Sequence, residues 1–204
     1  HETYGSTEAG IVSNLPPADQ LNKRNCVGLP FDSTRISLRN ESGDECGPEE
    51  PGELFSISPY LFNGYWKNQA ETDAAFMDGW VSVGDIARRD ADGYLYIIDR
   101  KKDMVISGGT NIYPREIENV LEQHPTVIEA GVVGVPDEKW GERLKAFVVI
   151  SDEGSFAPDQ IASFAESRLA KYKVPKDFEV ISRLPRNANG KVLKAILRAR
   201  TQPS

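Results

Sequence analysis

Short apolar runs separated by turn clusters dominate the first half of this chain, and runs with helical spacing enter in the second. Residues 34–38, 52–57 and 80–83 have strand length, and the turn-rich stretches 40–44, 47–52 and 90–93 bound them. Residues 94–98 add another apolar strand. This pattern predicts a β-rich region, a small barrel or meander. Beyond Arg100 the period changes. Pro114 suits a first helical turn, Ile117, Val120 and Leu121 share a face, and His124-Pro125 ends the helix. Strands are predicted over 127–135 and 144–150, a helix over 159–170 with Ile161, Phe164, Ala165 and Leu169 inward, a strand over 178–181 and a last helix over 193–200. The order β-α-β-β-α-β-α describes an α+β domain of about 100 residues.

Composition narrows the class. With 204 residues and 39% hydrophobic positions, the chain can bury a core in one domain or two. No apolar run approaches the roughly 20 residues that span a bilayer, and no charged-then-apolar leader opens the chain, so the expectation is no transmembrane segment and a cytoplasmic protein. Cys26 and Cys46 form no CxxC pair and only two histidines are present, which argues against zinc and for a reducing compartment. A net charge of -7 argues against a general nucleic-acid binder. Charge is divided unevenly: residues 1–100 hold 8 basic and 17 acidic side chains, residues 101–204 hold 16 and 14. The expected seam is the run Asp99-Arg100-Lys101-Lys102-Asp103, separating domains 1–99 and 100–204; a charged run by itself also reads as a solvated turn. The chain starts at His1 without a methionine, which suggests a piece of a longer protein.

Three segments combine glycine, hydroxyl and charge. In Tyr4-Gly5-Ser6-Thr7-Glu8, read as a loop, Gly5 permits close backbone approach, the hydroxyls can donate to phosphate, and Glu8 offers a hard oxygen to magnesium. Asp85 follows the run 79–83 and is expected at a strand end, where a carboxylate can hold ribose hydroxyls. Residues 185–191 form a polar loop ending in Lys191, a compact point charge. Each segment also reads as an ordinary turn or a solvated lysine. Trp66, Trp80 and Trp140 read as packing, and His1 and His124 as poor candidates for a base. Lys171 and Lys173 read equally as phosphate contacts and as surface charge.

Taken in order, residues 4–10 (YGSTEAG), 79–85 (GWVSVGD), 94–103 (YLYIIDRKKD), 107–118 (SGGTNIYPREIE) and 185–194 (PRNANGKVLK) resemble the carboxy-terminal signatures of the adenylate-forming enzymes, and among them the fatty-acyl and aryl-CoA ligases. The resemblance spans almost the whole chain. It implies a β-rich, distorted-barrel end of a large AMP-binding domain followed by a small α+β lid, with a hinge at 99–103. It implies a ligase that uses ATP, Mg2+ and CoA to turn a small-molecule carboxylic acid into an acyl-adenylate and then a thioester. By the same resemblance Lys191 bridges carboxylate and α-phosphate, Thr7 contacts phosphate, Glu8 holds magnesium, Tyr4 lies against adenine beside Gly5, and Asp85 and Arg100 hold the ribose. Lys102 is the pivot, and Ser107, Gly108 and Gly109 line the pantetheine path, where two glycines leave room for the arm.

Several alternatives stay open. One is an amino-acid-activating domain of a peptide synthetase, disfavoured by the end at Thr201-Gln202-Pro203-Ser204 without a carrier domain. Another is a luciferase-like oxygenase, disfavoured by the lack of a terminal Ser-Lys-Leu. A third is a non-catalytic lid acting as an interaction module. The phosphate-binding loop and acyl pocket of the family precede position 4, so the 204 residues alone are expected to fold without activity. A homodimer is a further expectation, and the acid itself is not legible.

Overall fold

The structure, a computed structural model, describes residues 1–151 and 157–201, so the reading of Gln202–Ser204 lies outside the described residues. The chain divides into two units, His1–Lys102 and Asp103–Ser204. With the boundary after Lys102 the charges regroup as 10 basic against 17 acidic and 14 against 14. The second unit is therefore neutral rather than slightly basic, because Lys101 and Lys102 belong to the first.

The first unit holds two antiparallel sheets. Strands β1 (Glu2–Ser6), β2 (Gly10–Leu15) and β3 (Leu29–Pro30) form one. In the other, β4 (Arg35–Arg39), β5 (Gly52–Ile57), β7 (Trp80–Arg89) and β6 (Phe76–Met77) lie in that order, with β8 (Leu95–Arg100) also paired to β7. A bridge between Gly28 and Leu95 links the two sheets, and the buried Leu95 joins Val12, Leu38, Leu54, Val81 and Ala87 in one core. Short helices α1 (Pro17–Gln20) and α2 (Gln69–Ala75) sit in connections. The side chain of Asn68 caps α2 by accepting from the Glu71 N–H.

The second unit is built on β12 (Gly141–Ile150), which pairs with β11 (Val127–Asp137), with β9 (Val105–Ser107) and, in parallel, with β13 (Asp177–Val180). Strand β10 (Thr110–Ile112) completes a hairpin with β9. Successive strand residues point to opposite faces. Thus Val132, Leu144, Ala146 and Val148 join Ile117 and Leu121 of α3 (Pro114–Leu121) and Ile161 and Ala165 of α4 (Pro158–Glu166). Val133, Val135 and Phe147 join Ile181, Leu184 and Leu197 of α5 (Lys194–Ala199) on the other face. A sheet covered on both sides needs continuous apolar strands, which is why 130–135 reads as an unbroken run.

The element order departs from expectation in one place: a hairpin precedes α3, giving β-β-α-β-β-α-β-α. Its strands are three residues each, too short for any periodicity. Helix α4 ends at Glu166, four residues early. There the Ser167 hydroxyl and the Arg168 guanidinium both donate to the Phe164 carbonyl, supplying side-chain partners at the terminus. Phe164 is only half-buried, with Arg168 3.7 Å over its ring, while Leu169 is buried beyond the helix end.

Ile117 is fully buried where α3 meets the sheet. Ile117→Ala is expected to cost about 2–5 kcal/mol in urea unfolding; a change below the noise of the measurement would contradict this placement of the core.

Candidate active site

Tyr4, Asp85 and Arg100 come together in the first unit. Tyr4 and Gly5 lie within β1, and only Thr7–Ala9 make the turn to β2, which corrects the reading of this segment as a loop. Gly5 does allow a close backbone approach, but to its own hairpin: a Cβ there would stand 2.1 Å from the Gly10 carbonyl oxygen. The hairpin register shifts at Tyr4/Gly5, a bulge that re-aims side chains.

Asp85 is also placed differently from expectation. It lies inside the ten-residue β7 rather than at its end. The pairing of β7 with β5 is irregular just before it, where Gly84 adopts φ +73°. That conformation suits glycine and turns the Asp85 side chain inward. Arg100 faces it across β7–β8 as a register partner. Its Nε lies 2.7 Å from one carboxylate oxygen, and the Tyr4 hydroxyl donates to the other. Asp85 is 4% exposed, so its charge is compensated where water is excluded, while Arg100 reaches it from the exposed side. An ionised carboxylate has about four acceptor sites, so two remain for another donor. Burial, followed by the Asp85 carboxylate, pushes the Tyr4 phenol well above the ordinary tyrosine range.

Thr7 is exposed on the turn, and Glu8 is half-buried beside it. Tyr65, which the sequence did not single out, donates its hydroxyl to Glu8 at 2.8 Å. Burial raises the Glu8 pKa, but donation from Tyr65, hydrogen bonds from its own backbone and Ser6, and the charge of Arg100 outweigh it, so the group titrates below its usual 4.5. It is a carboxylate at neutral pH. A single ionised carboxylate beside hydroxyls fits magnesium, which takes one or two carboxylates and completes its shell with phosphate and water. Among the described residues no three acidic, histidine or cysteine side chains converge as a metal cage.

In the second unit Lys191 ends a loop with an ordered backbone. The Asn187 N–H donates to the Lys191 carbonyl, and the Asn187 side chain accepts from the N–H groups of Asn189 and Lys191. Arg186 clamps the loop by donating to the Gly190 carbonyl and pairing with Glu129, both at 2.6 Å. The Lys191 side chain is exposed, with no carboxylate in ion-pair distance among the described residues. Ser107, Gly108 and Gly109 lie at the β9–β10 hairpin, where both glycines have positive φ (58° and 78°), as a two-residue type I′ turn requires. Gly108 has a second reason to be glycine, since a Cβ would stand 2.7 Å from the Trp140 ring. Backbone geometry and a tryptophan thus account for the pair without an external ligand.

The seam is more than a solvated turn. Lys101 pairs with Glu53 of the first unit at 2.7 Å, and Asp103 accepts from Arg198 of the second at 3.0 Å. Lys102 sits between these two anchors, exposed, in a 3-10 turn. The packing reading fails for Trp66, 87% exposed; the Trp140 ring, 43% exposed, packs on Gly108, and Trp80 is half-buried between Arg35 and Arg39. His124 bonds Thr126 and abuts Phe164, and Lys173 is paired with Glu116. Glu118 and Lys194 were missed as well. They close two of the quoted motifs, yet nothing in the sequence says that they meet.

Residues 1–66 match the family model described as AMP-binding enzyme, and residues 116–191 match AMP-binding enzyme C-terminal domain. A 2-succinylbenzoate--CoA ligase of Bacillus licheniformis is 42% identical over 95% of the chain and 40% of its own length. The o-succinylbenzoate CoA synthetase of Bacillus subtilis, solved with the acyl-adenylate intermediate OSB-AMP, superposes with TM-score 0.88 at 37% identity, covering all of this chain and 41% of that one. An amide bond synthetase of Marinactinospora thermotolerans superposes with TM-score 0.89 at 32% identity, over 98% of this chain and 42% of that one. The chain thus spans about two-fifths of the length of these relatives.

Because the Tyr65 hydroxyl stabilises the ionised form of Glu8, Tyr65→Phe is expected to move the Glu8 midpoint upward, towards 4.5. Side-chain NMR titration reads this directly; an unmoved midpoint would remove Tyr65 from the site.

Proposed function

The chain belongs to the adenylate-forming enzymes, carrying an AMP-binding segment followed by their C-terminal domain, and we propose that the whole protein is an AMP-forming carboxylic acid:CoA ligase. The reaction runs in two steps. A carboxylate oxygen attacks the α-phosphorus of ATP and pyrophosphate leaves; the CoA thiol then attacks the acyl carbonyl and AMP leaves. The relatives named above support this reading, as does the chemistry of both units.

The first step must bring an anion to a polyanion, so positive charge has to be waiting where negative charge accumulates. Lys191 carries the reading. It is an exposed ammonium with no carboxylate in ion-pair distance among the described residues, on a loop whose backbone is fixed by Asn187 and Arg186. In this proposal it bridges the substrate carboxylate and the α-phosphate. Asp85 receives the ribose hydroxyls through its remaining acceptor sites, and Arg100 holds that carboxylate in place. Tyr4, tied to Asp85, presents its ring to the adenine beside Gly5, and Thr7 donates to phosphate. Magnesium, when bound, screens the triphosphate charge, and Glu8 is the carboxylate that would hold it.

The second step needs Lys191 withdrawn and a path for the thiol. Lys102 is proposed as the pivot: its neighbours are anchored in different units, which confines a rotation to the residue between them. The Ser107-Gly108-Gly109 hairpin then meets the pantetheine arm. An amine acceptor, suggested by the amide bond synthetase that shares the fold, is the second reading; product formation with CoA against an amine panel separates the two.

Pyrophosphate exchange by the 204 residues alone is expected to give no turnover, since they span two-fifths of the relatives' length. In the whole protein Lys191→Ala should slow adenylation by about 100- to 1,000-fold and leave thioester formation from supplied acyl-adenylate intact. Equal loss of both steps would contradict the role given to Lys191.

A further inference from the structure

Glu118 and Lys194 form a buried ion pair that the proposed chemistry does not use. The Lys194 ammonium lies 2.7 Å from Glu118 Oε1, and the two side chains are 10% and 4% exposed. The same oxygen accepts from the Val132 N–H at 2.9 Å. Strand β11 is an edge of its sheet, so that N–H has no strand to receive it, and α3 covers the edge with Glu118. Arg115 approaches the other carboxylate oxygen at 3.7 Å.

Two features set the pair apart. Lys194 is the first residue of α5, and a cation at a helix N-terminus opposes the helix dipole. An apolar pair of equal volume would avoid the desolvation cost, and such replacements are often neutral or stabilising. The pair therefore contributes direction more than stability. Lys191 lies three residues upstream, and three residues of chain reach about 10 Å at most. Between them Leu193 donates to the Pro185 carbonyl at 2.8 Å and Val192 bridges to Arg186, closing the loop.

We propose that Glu118 and Lys194 are positioning residues for Lys191: the ion pair ties the downstream end of the lysine loop to α3 and the β11 edge, as Arg186 and Glu129 tie its upstream end. The positioning of the loop is a structural statement; its consequence for rate rests on the role proposed for Lys191.

The first readout is amide hydrogen exchange in the 204-residue chain at Asn187, Lys191 and Leu193, whose N–H groups close the loop. Lys194→Met should speed exchange at these three by at least about tenfold while β12 stays protected, as expected for local opening. Lys194→Arg should restore protection. If Lys194→Met unfolds the unit, the neutral double variant Glu118→Met/Lys194→Met replaces it and is expected to keep β12 protected with the loop still exchanging fast. Wild-type loop protection in whichever of these is folded overturns the inference. In the whole protein the same folded variant should lower the adenylation kcat by about 100-fold, the scale of an ångström misplacement, with KM and thioester formation from acyl-adenylate little changed. If Lys191→Ala itself leaves adenylation unaffected, the functional reading fails while the exchange result still decides the anchor. If Lys191→Ala abolishes adenylation but the Lys194 variant keeps the wild-type rate, the inference fails alone.

Discussion

A carboxylate buried in a β-sheet has to be paired, and the pairing of Asp85 organises the first unit. Arg100 supplies the charge from the facing strand and Tyr4 supplies a hydroxyl from a different sheet. The bulge at Gly84 turns the carboxylate inward, and the bulge at Tyr4/Gly5 belongs to the strand that brings the phenol to it. Losing Arg100 would leave the Asp85 carboxylate uncompensated in a dry place, which costs several kcal/mol. The two sheets are thereby linked chemically as well as by the Gly28–Leu95 bridge, and the turn bearing Thr7 and Glu8 is carried on the end of the same strand.

The role proposed for Lys191 sets the second unit a different requirement, that of presenting a cation without neutralising it. Several of its cations are matched within the unit: Arg186 with Glu129, Lys173 with Glu116, Lys145 with Glu179, Lys194 with Glu118. Lys191 stands outside this pairing. A sheet packed on both faces gives the rigidity from which such a loop can project, because its strands cannot shift without opening two cores. The neutral total of this unit matters less than where Lys191 stands, since field at a site depends on the nearest charges.

Hydrophobic period carried most of the fold. The strands around Val132 and Val148 and the helix with Ile117 and Leu121 were legible because burial repeats at fixed spacing. The β9–β10 hairpin was not, since three-residue strands leave no period and a Gly-Gly pair reads as room for a ligand as readily as a tight turn. Asp85 was recognised by type but placed at the wrong point of its strand, because a bulge is a pairing irregularity that one strand's sequence does not display. Trp66 reads as packing from residue type alone, which does not fix burial for a large amphipathic ring. Tyr65, Glu118 and Lys194 were invisible for a common reason: each matters through a partner 57 or more positions away, and contacts of that range are absent from local pattern.

Asp85, held by Tyr4 and Arg100, is the residue proposed to receive the ribose of a nucleotide. Calorimetric titration of the whole protein with AMP and with 2′,3′-dideoxy-AMP tests it through a cycle with Asp85→Asn. The account predicts that Asp85→Asn weakens AMP binding by at least about tenfold, the scale of a lost charged hydrogen bond, and that wild-type protein and variant bind the dideoxy nucleotide equally weakly. Undiminished AMP affinity in the variant, or the same loss with both nucleotides, would contradict it.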